Sequence, residues 1–374
     1  MNAVLLATGD LAMDRGNYGD CFAATSDVLR AADIVFGQLE TSFASKGVRL
    51  PQARHAVLGR PDGAAALRQA GFDVISMAGN HVMDWGNEAF FETRSNLEAA
   101  GLRVVGAGAN IAEARRPAWF TLEDGSRVAI LAYSSILPMG YWADERRPGC
   151  APMRAHTHYE QIEHEQPGTP ARIHTFAHRD DLAALEADIR AAKAESDLVI
   201  VSIHWGIHFV RAEIADYQRE VARAAVAAGA DAILGGHAHI LKGCELIDGR
   251  PIFYSLCNFA TDLRMDPAHA ASKSFQEIRV LAEEWEPDFG SLYNFPKASR
   301  LSMVARLEIK DGRLLRAGFL PVHIGSDAVP RFVERGTDSY SETVDYMAAV
   351  TEEAGLNACY RVGEDMVELV GAGS

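Results

Sequence analysis

The sequence predicts an α/β protein in which sheets are layered by helices. Strand-like apolar runs recur up to His239, and several are continuous rather than alternating, as in strands that are covered on both faces. Helix-like patterns lie between them, and this alternation is typical of an α/β sheet flanked by helices. After His239, two pairs of β-like runs are each joined by an Asp-Gly turn, which indicates antiparallel strands in the second half.

The predicted elements follow one another along the chain. The strand-like runs are, in order, "NAVLLATG", "ADIVFGQLE", "FDVISMAGN", "LRVVGAG", "RVAILAYSS", "DLVIVSIHWG" and "ADAILGGHAH". The helix-like segments, with helical apolar spacing and Gly or polar ends, are "SDVLRAA", "PDGAAALRQAG", "NEAFFETRSNLEAAG", "RDDLAALEADIRAAKAES" and "IADYQREVARAAVAAGA". The antiparallel pairs are "KGCELIDGRPIFYSLCNF" and "ARLEIKDGRLLRAGFLPV".

We expect one domain with inserted loops, because no Ser- or Pro-rich linker divides the 374 residues. The expected domain covers residues 1–330, and residues 331–374 are expected to form a C-terminal helical extension, a helix plus a polar tail, that packs on the same domain. From about Leu137 to His178 the alternation is broken by "PMGYW", "RRPGCAPM" and "QPGTPARIH". A segment of this length predicts a lid or a substrate-facing insertion.

Composition excludes several function classes. A net charge of -15 without a basic cluster argues against a nucleic-acid surface. The opening "MNAVLLATGDLAMD" has no basic region and reads as a first strand, and no run reaches the ~18 apolar residues of a spanning helix. We therefore expect a soluble, cytoplasmic protein with no membrane anchor. Five scattered cysteines without a Cys-x-x-Cys pair predict reduced thiols.

Polar side chains end five of the predicted strands. In an open α/β sheet, the loops beyond the carboxyl ends of the strands form the ligand crevice, so these side chains are expected to meet. They are Asp10, Glu40, Asn80 with His81, His204, and His237 with His239. Each alone could be a turn residue, a helix cap or a structural histidine, but their coincidence at strand ends favours a shared site.

This donor set favours one or two divalent ions of the borderline class, with manganese, zinc and iron expected first. The "HAH" doublet supports this interpretation, because a sharp turn would aim both imidazoles at neighbouring metals. Paired ions ~3.5 to 4 Å apart recur in enzymes that activate water and hold a phosphoryl group.

Seven motifs, in sequence order, resemble the CapA family of poly-gamma-glutamate capsule biosynthesis proteins, a branch of the calcineurin-like metallophosphoesterase superfamily. They are "TGDLAMDRG", "GQLETS", "AGNHVMDWG", "GAGANIAEA", "IHWGIHF", "GGHAHILKG" and "IFYSLCNF", and they span about Val4 to Phe259. The resemblance implies a four-layer sandwich of two mixed β-sheets flanked by helices, with the site at the strand ends.

The resemblance also implies roles for the strand-end residues. The implied metal ligands are Asp10 as the first-motif carboxylate, Glu40 in the bridging position, Asn80, His204 and His237 on one metal, and His239 on the other. His81 resembles the catalytic histidine that donates a proton to the leaving group, with Asp84 behind it to orient the ring. Further residues in family motifs, expected near the pocket without a fixed role, are Arg15, His208, Ser255 and Asn258.

The chain departs from the superfamily pattern at three positions. Ala12 stands where the superfamily has the histidine of its first Asp-x-His motif, so one metal lacks an imidazole. Leu39 and Glu40 stand where the second motif is normally Gly-Asp, as is usual for CapA. Gly236 replaces a histidine that CapA-like sequences often carry. The number of metals, one or two, therefore stays open.

Three functions are compatible with these motifs. The first is a metal-dependent hydrolase of a small phosphoester, or of an amide in a peptide or polyglutamate-like substrate, with His81 as general acid. The second is a metal-dependent peptide epimerase that uses His/Asp acid-base pairs. The third is a non-catalytic protein that binds capsule polymer. The sequence gives no oligomeric state.

Histidines in the inserted segment invite a second metal-binding interpretation. They are His156, His158, His164, His174 and His178. Their spacing, interrupted by "QPGTP", matches no compact coordination pattern, so we expect partly exposed loop histidines.

Overall fold

The structure, a computed structural model, describes residues 2–371. Its strands are β1 Ala3–Ala12, β2 Ile34–Leu39, β3 Ser42–Phe43, β4 Leu58–Gly59, β5 Val74–Ser76, β6 Arg103–Val105, β7 Ala107–Gly108, β8 Ala118–Thr121, β9 Arg127–Ser134, β10 Gly149–Cys150, β11 Ala155–Glu160, β12 Arg172–Ala177, β13 Leu198–His204, β14 Ala232–Gly236, β15 Cys244–Ile247, β16 Arg250–Phe253, β17 Asn258–Thr261, β18 Leu301–Lys310, β19 Arg313–Ile324, β20 Pro330–Phe332, β21 Ala358–Val362 and β22 Val367–Gly371. Its α-helices are α1 Ser26–Arg30, α2 Gly63–Ala70, α3 Gly86–Ala99, α4 Ile111–Ala114, α5 Arg179–Glu195, α6 Asp216–Ala228, α7 Pro267–Ala270, α8 Lys273–Arg279 and α9 Asp338–Glu353.

Two mixed sheets form the body of the molecule. The larger has the strand order β21-β22-β19-β18-β1-β2-β5-β6, with β17 beside β1 and β20 beside β19. The smaller has the order β15-β16-β14-β13-β9-β8. In the first, β1 is parallel to β2 and β17 but antiparallel to β18; in the second, β13 is parallel to β9 and β14.

Continuous apolar strands separate two cores, which explains the layered architecture. Along β9, Val128 and Ile130 face the central core, whereas Ala129 and Leu131 face a second core shared with α5 and α6. Side chains of successive strand residues point to opposite faces, so a run without polar residues is buried on both sides. The predicted class, two mixed sheets flanked by helices, is confirmed.

The two predicted hairpins are present, β15 with β16 and β18 with β19. Asp248 and Gly249 have φ values of 49° and 75°, and Asp311 and Gly312 have 50° and 68°. Positive φ at both turn residues matches the twist of antiparallel strands, and Asp-Gly tolerates it.

The C-terminal region differs from its predicted helix and polar tail. Helix α9 is present, but β21 and β22 follow it and pair with each other, and β22 also pairs with β19 of the large sheet. The described part of this region, up to Gly371, therefore continues the sheet instead of ending in a polar tail.

The segment between Leu137 and His178, expected to be a lid or a substrate-facing insertion, is in part an ordered hairpin. Strands β11 and β12 form a hairpin that packs on α6, where the Tyr217 N–H donates to Thr175 Oγ1 at 3.0 Å and Glu220 accepts from the Ala177 N–H at 2.8 Å. No residue of this segment lines the large cavity described below.

None of the helices within residues 2–371 combines the length and the apolar character that a membrane crossing requires. All five cysteines are unpaired; Cys359 is exposed and the others are buried.

Candidate metal centre and cavity

Three donors from the two sheets meet at the ends of their strands. One ligand atom each from Asp10, Glu40 and His204 lies within 4.8 Å of the others, and among residues 2–371 this is the one set of three His, Cys or acidic donors so arranged. His204 Nε2 lies 3.2 Å from Glu40 Oε1, and its Nδ1 lies 3.9 Å from Asp10 Oδ1. Asp10 is on β1 of the large sheet and His204 ends β13 of the small one, so the cluster bridges both sheets.

The unsatisfied atoms of this cluster fit a bound cation. Asp10 Oδ1, Glu40 Oε1, His204 Nδ1 and His237 Nδ1 are all buried and have no hydrogen-bond partner among the described residues. Burial, and then the nearby Glu40 carboxylate, raise the pKa of Asp10 well above its usual value. Buried polar atoms are normally paired, and two neighbouring buried carboxylates repel each other. A divalent ion would satisfy both requirements, and the oxygen and imidazole donors suit manganese, zinc or iron.

Further predicted ligands surround this set. Asn80 Oδ1 lies 2.6 Å from His204 Nε2. The "HAH" segment turns sharply, since His237 and His239 have φ values of 85° and 54°. The turn places the two rings 6.1 Å apart, and the His237 N–H donates to Asp10 Oδ2 at 3.1 Å.

Gly236 leaves the space that the cluster needs. A Cβ atom at this position would lie 2.8 Å from Asp10 Oδ1 and 3.3 Å from His204 Nδ1. A side chain here would therefore displace a donor.

Asn258 fixes the orientation of His239. Its Oδ1 lies 2.7 Å from His239 Nδ1, and its Nδ2 donates to the Tyr293 hydroxyl at 2.8 Å. His239 Nδ1 also lies 3.6 Å from Asp10 Oδ2. Because Nδ1 is engaged by Asn258, Nε2 of His239 is the nitrogen available to a ligand.

His81, Asp84 and Tyr141 form a chain of hydrogen bonds at the cavity edge. His81 Nδ1 lies 2.6 Å from Asp84 Oδ2, and the Tyr141 hydroxyl donates to Asp84 Oδ1 at 2.8 Å. Burial lowers the pKa of His81, but the bond to Asp84 and the charges of Glu40 and Asp84 outweigh it and raise the pKa above its usual value. Tyr141 is not among the predicted site residues; it is fully buried within the segment expected to be a lid or a substrate-facing insertion.

The remaining predicted residues have different surroundings. Arg15 forms a salt bridge with Asp262 and does not line the cavity. Ser255 accepts from the Cys257 N–H at 3.1 Å and is buried away from the cavity. His208 does line it; its ring centroid lies 3.9 Å from that of His237, and its Nε2 is buried without a partner among residues 2–371.

A cavity of about 640 Å³ opens beside the cluster. Its volume is in the range of pockets that bind small organic ligands. Its polar floor consists of Ala12, Glu40, Asn80, His81, His208 and His239. Ala12, which stands at the departure from the first motif noted in the sequence, thus faces this space.

The inserted histidines serve local structure. His174 Nε2 lies 2.8 Å from Glu160 Oε2, and His178 Nδ1 accepts from the Asp181 N–H at the start of α5.

Fold and donor set together define an α/β protein with a candidate metal centre at the carboxyl ends of its strands. The family model described as "Bacterial capsule synthesis protein PGA_cap" matches residues 4–263, and the chain belongs to this family. The family predicted from the seven motifs is confirmed.

Two relatives and one solved structure illustrate the range of similarity. The chain is 28% identical over 249 residues to the PGA biosynthesis protein CapA of Bacillus subtilis, covering 64% of this chain and 56% of that protein. It is 30% identical over 317 residues to the uncharacterized protein y4sH of Sinorhizobium fredii, covering 71% and 68%. The calcineurin-like phosphoesterase YfkN from Bacillus subtilis is similar with a TM-score of 0.41 and 14% identity, covering 95% of this chain and 99% of that one. The chain spans little more than half the length of the Bacillus CapA protein.

Proposed function

We propose that this chain is a metal-dependent hydrolase of small phosphoesters. The observation that carries the proposal is the buried donor set of Asp10, Glu40 and His204, whose unpaired atoms adjoin both a cavity and an oriented His81. Asn80, His237 and His239 complete the residues that would hold one or two divalent ions. Such an ion supplies Lewis acidity toward the phosphoryl oxygens and toward the attacking water.

His81 provides the proton that the leaving group needs, and regains it from solvent after the attacking water has lost one of its own protons to solvent. Asp84 accepts a hydrogen bond from His81 Nδ1–H, which leaves the proton on Nε2 available for transfer. The water oxygen forms a bond to phosphorus, the bond from phosphorus to the leaving oxygen breaks, and its electron pair stays with that oxygen. The leaving oxygen takes the proton from His81 Nε2, so the products are an alcohol and a phosphate.

Tyr141 acts as a positioning residue behind this pair. Its hydroxyl holds Asp84 Oδ1, and Asp84 in turn fixes the imidazole plane. A carboxylate with both oxygens engaged keeps one orientation, which favours a constant distance between His81 and the leaving oxygen.

The test is hydrolysis of phenyl phosphate and bis-p-nitrophenyl phosphate by the full chain, with and without added Mn²⁺, and with metal content measured on the same samples. Metal-dependent release of phenol or nitrophenol would support the proposal. Bound metal without turnover of either ester would overturn it in favour of amide hydrolysis or an epimerase. Incorporation of solvent deuterium at the α carbon of a peptide would identify the epimerase. Absence of specific metal would leave a binding protein.

A further inference from the structure

We infer that the substrate carries a neutral, apolar group of about ring size next to the bond that is cleaved; this inference rests on the proposed function. It comes from the apolar part of the cavity lining. That part, here called the apolar wall, consists of Phe209, Leu263, Met265, Phe275, Ile278, Leu281, Trp285 and Phe295.

The apolar wall is a separate hydrophobic cluster built around Trp285. The Trp285 ring lies 5.0 Å from the Phe209 ring and 5.0 Å from the Phe275 ring, measured between centroids. Phe209, Phe275 and Trp285 belong to neither of the two sheet cores, whereas Phe295 packs against both this cluster and the central core. A cluster of aromatic rings that faces a cavity offers contact area to another apolar group.

The apolar wall adjoins the candidate metal centre directly. His239 lies 5.1 Å from the Phe295 ring and 5.8 Å from the Phe209 ring. A substrate whose anionic group is held at the polar floor therefore brings its next few atoms onto this wall. The group attached to the anion, rather than a remote part of the molecule, is the part that the wall selects.

Charges around the rest of the cavity are already engaged. Arg54 lies 3.5 Å from Glu277, and Asp262 is bound by Arg15. Arg49 donates to the carbonyl oxygens of Ala53 and Arg54. A neutral group would leave these contacts in place.

Most of the apolar wall lies outside the part of the chain that the family model matches. That match ends at residue 263, and Met265, Phe275, Trp285 and Phe295 all follow it. The selectivity inferred here is therefore a property of this chain's own segment.

The test measures binding of three phosphonates to the Mn²⁺-loaded full chain by calorimetry. The ligands are methylphosphonate, benzylphosphonate and 4-carboxybenzylphosphonate, which share the anion but differ in the attached group. We expect benzylphosphonate to bind about ten- to a hundredfold more tightly than methylphosphonate, because the ring leaves water for the apolar wall. The added carboxylate should remove most of that gain.

Two variants test whether the tighter binding of benzylphosphonate depends on the apolar wall. Trp285→Ala should bring the affinity ratio of benzyl to methyl close to one, while Trp119→Ala should leave it unchanged. Trp119 stacks on Arg127 and does not line the cavity, which makes it a matched control. Should Trp285→Ala fail to fold, Leu281→Gln provides the same test, because Leu281 is 43% exposed and tolerates a polar side chain.

The outcomes separate this inference from the proposed function. If none of the phosphonates binds the Mn²⁺-loaded protein, the phosphoester-binding site of the proposed function is contradicted. Equal affinity for the methyl and benzyl ligands would overturn the apolar-group inference alone. Tighter binding of the carboxylated ring, or an unchanged ratio in Trp285→Ala, would also overturn it.

Discussion

The polar floor and the apolar wall of the cavity are built in different ways. The floor comes from strand ends of both sheets, since Glu40 directly follows β2 of the large sheet and His239 lies just after β14 of the small one. The wall comes mainly from short helices and loops between Leu263 and Phe295. The contrast indicates that the sheets hold the chemistry in place while a later segment determines what fits, as is common where function lies on a rigid scaffold.

The largest effect should come from Asp10→Asn, which removes a carboxylate of the candidate metal centre while keeping the shape of the side chain. We expect loss of metal binding and a fall in phosphoester turnover of at least about a thousandfold. Because burial and Glu40 raise the Asp10 pKa, the metal-free variant should be as stable as the metal-free parent, or more so. Metal titration followed by thermal melting checks both. Asp27→Asn, at a fully exposed acid, is the control and should change neither.

His81→Asn should lower turnover by about a hundredfold or more while metal binding is retained. The loss should be large for phenyl phosphate and small for p-nitrophenyl phosphate, since nitrophenolate leaves without a proton. Steady-state kinetics on both esters measures the ratio. An equal loss for the two esters would mean that His81 positions the substrate instead of protonating the leaving group.

Lys242 stabilises the loop after β13, which carries His208 of the polar floor and Phe209 of the apolar wall. Its buried ammonium donates to the carbonyl oxygens of Val210 and Glu213, close to His208 and Phe209. Burial lowers the pKa of Lys242 to about 8, below the ~10.4 of an unfolded lysine. Between these values the unfolded chain binds more protons, so folded-state stability rises with pH, by up to about 3 kcal/mol. Urea unfolding of the parent and Lys242→Met at pH 7.5 and 10 should show this rise in the parent only. The same change in unfolding free energy between the two pH values in parent and variant would contradict this prediction.

Tyr141→Phe should have the smallest effect, a fall of about fivefold in turnover of phenyl phosphate. The variant leaves Asp84 Oδ1 without its hydroxyl donor and so loosens the orientation of His81. Hydrolysis of p-nitrophenyl phosphate should change less, a difference that general destabilisation would not produce. Tyr133→Phe, which removes a buried hydroxyl bound to Asp188, is the matched control and should leave the ratio of the two esters unchanged.

The sequence predicted the candidate metal centre better than the apolar wall for a physical reason. Asp10, Glu40 and His204 follow continuous apolar runs, and parallel strands bring their carboxyl ends to one edge. Trp285 and Phe295 lie in irregular segments, and their contacts with Phe209 join parts of the chain that no local pattern relates.

The β11–β12 hairpin and strands β21 and β22 were not predicted, because their positions depend on packing partners that are distant in the sequence. The Pro- and Gly-rich insertion showed an irregular segment, but only the contacts of Thr175 and Ala177 with α6 determine that it packs away from the cavity. Strands β21 and β22 are short and partly exposed, and their pairing depends on an open edge at β19. Sequence periodicity alone does not show which strand of the sheet has an unpaired edge.

The most direct test of the metal centre is an anomalous difference map at the manganese edge from a crystal of the protein soaked in Mn²⁺. The account predicts a strong peak at about coordination distance, roughly 2.0 to 2.3 Å, from Asp10, Glu40 and His204. A map with no peak among these three residues, or with peaks only at the histidines of the β11–β12 hairpin, would contradict it.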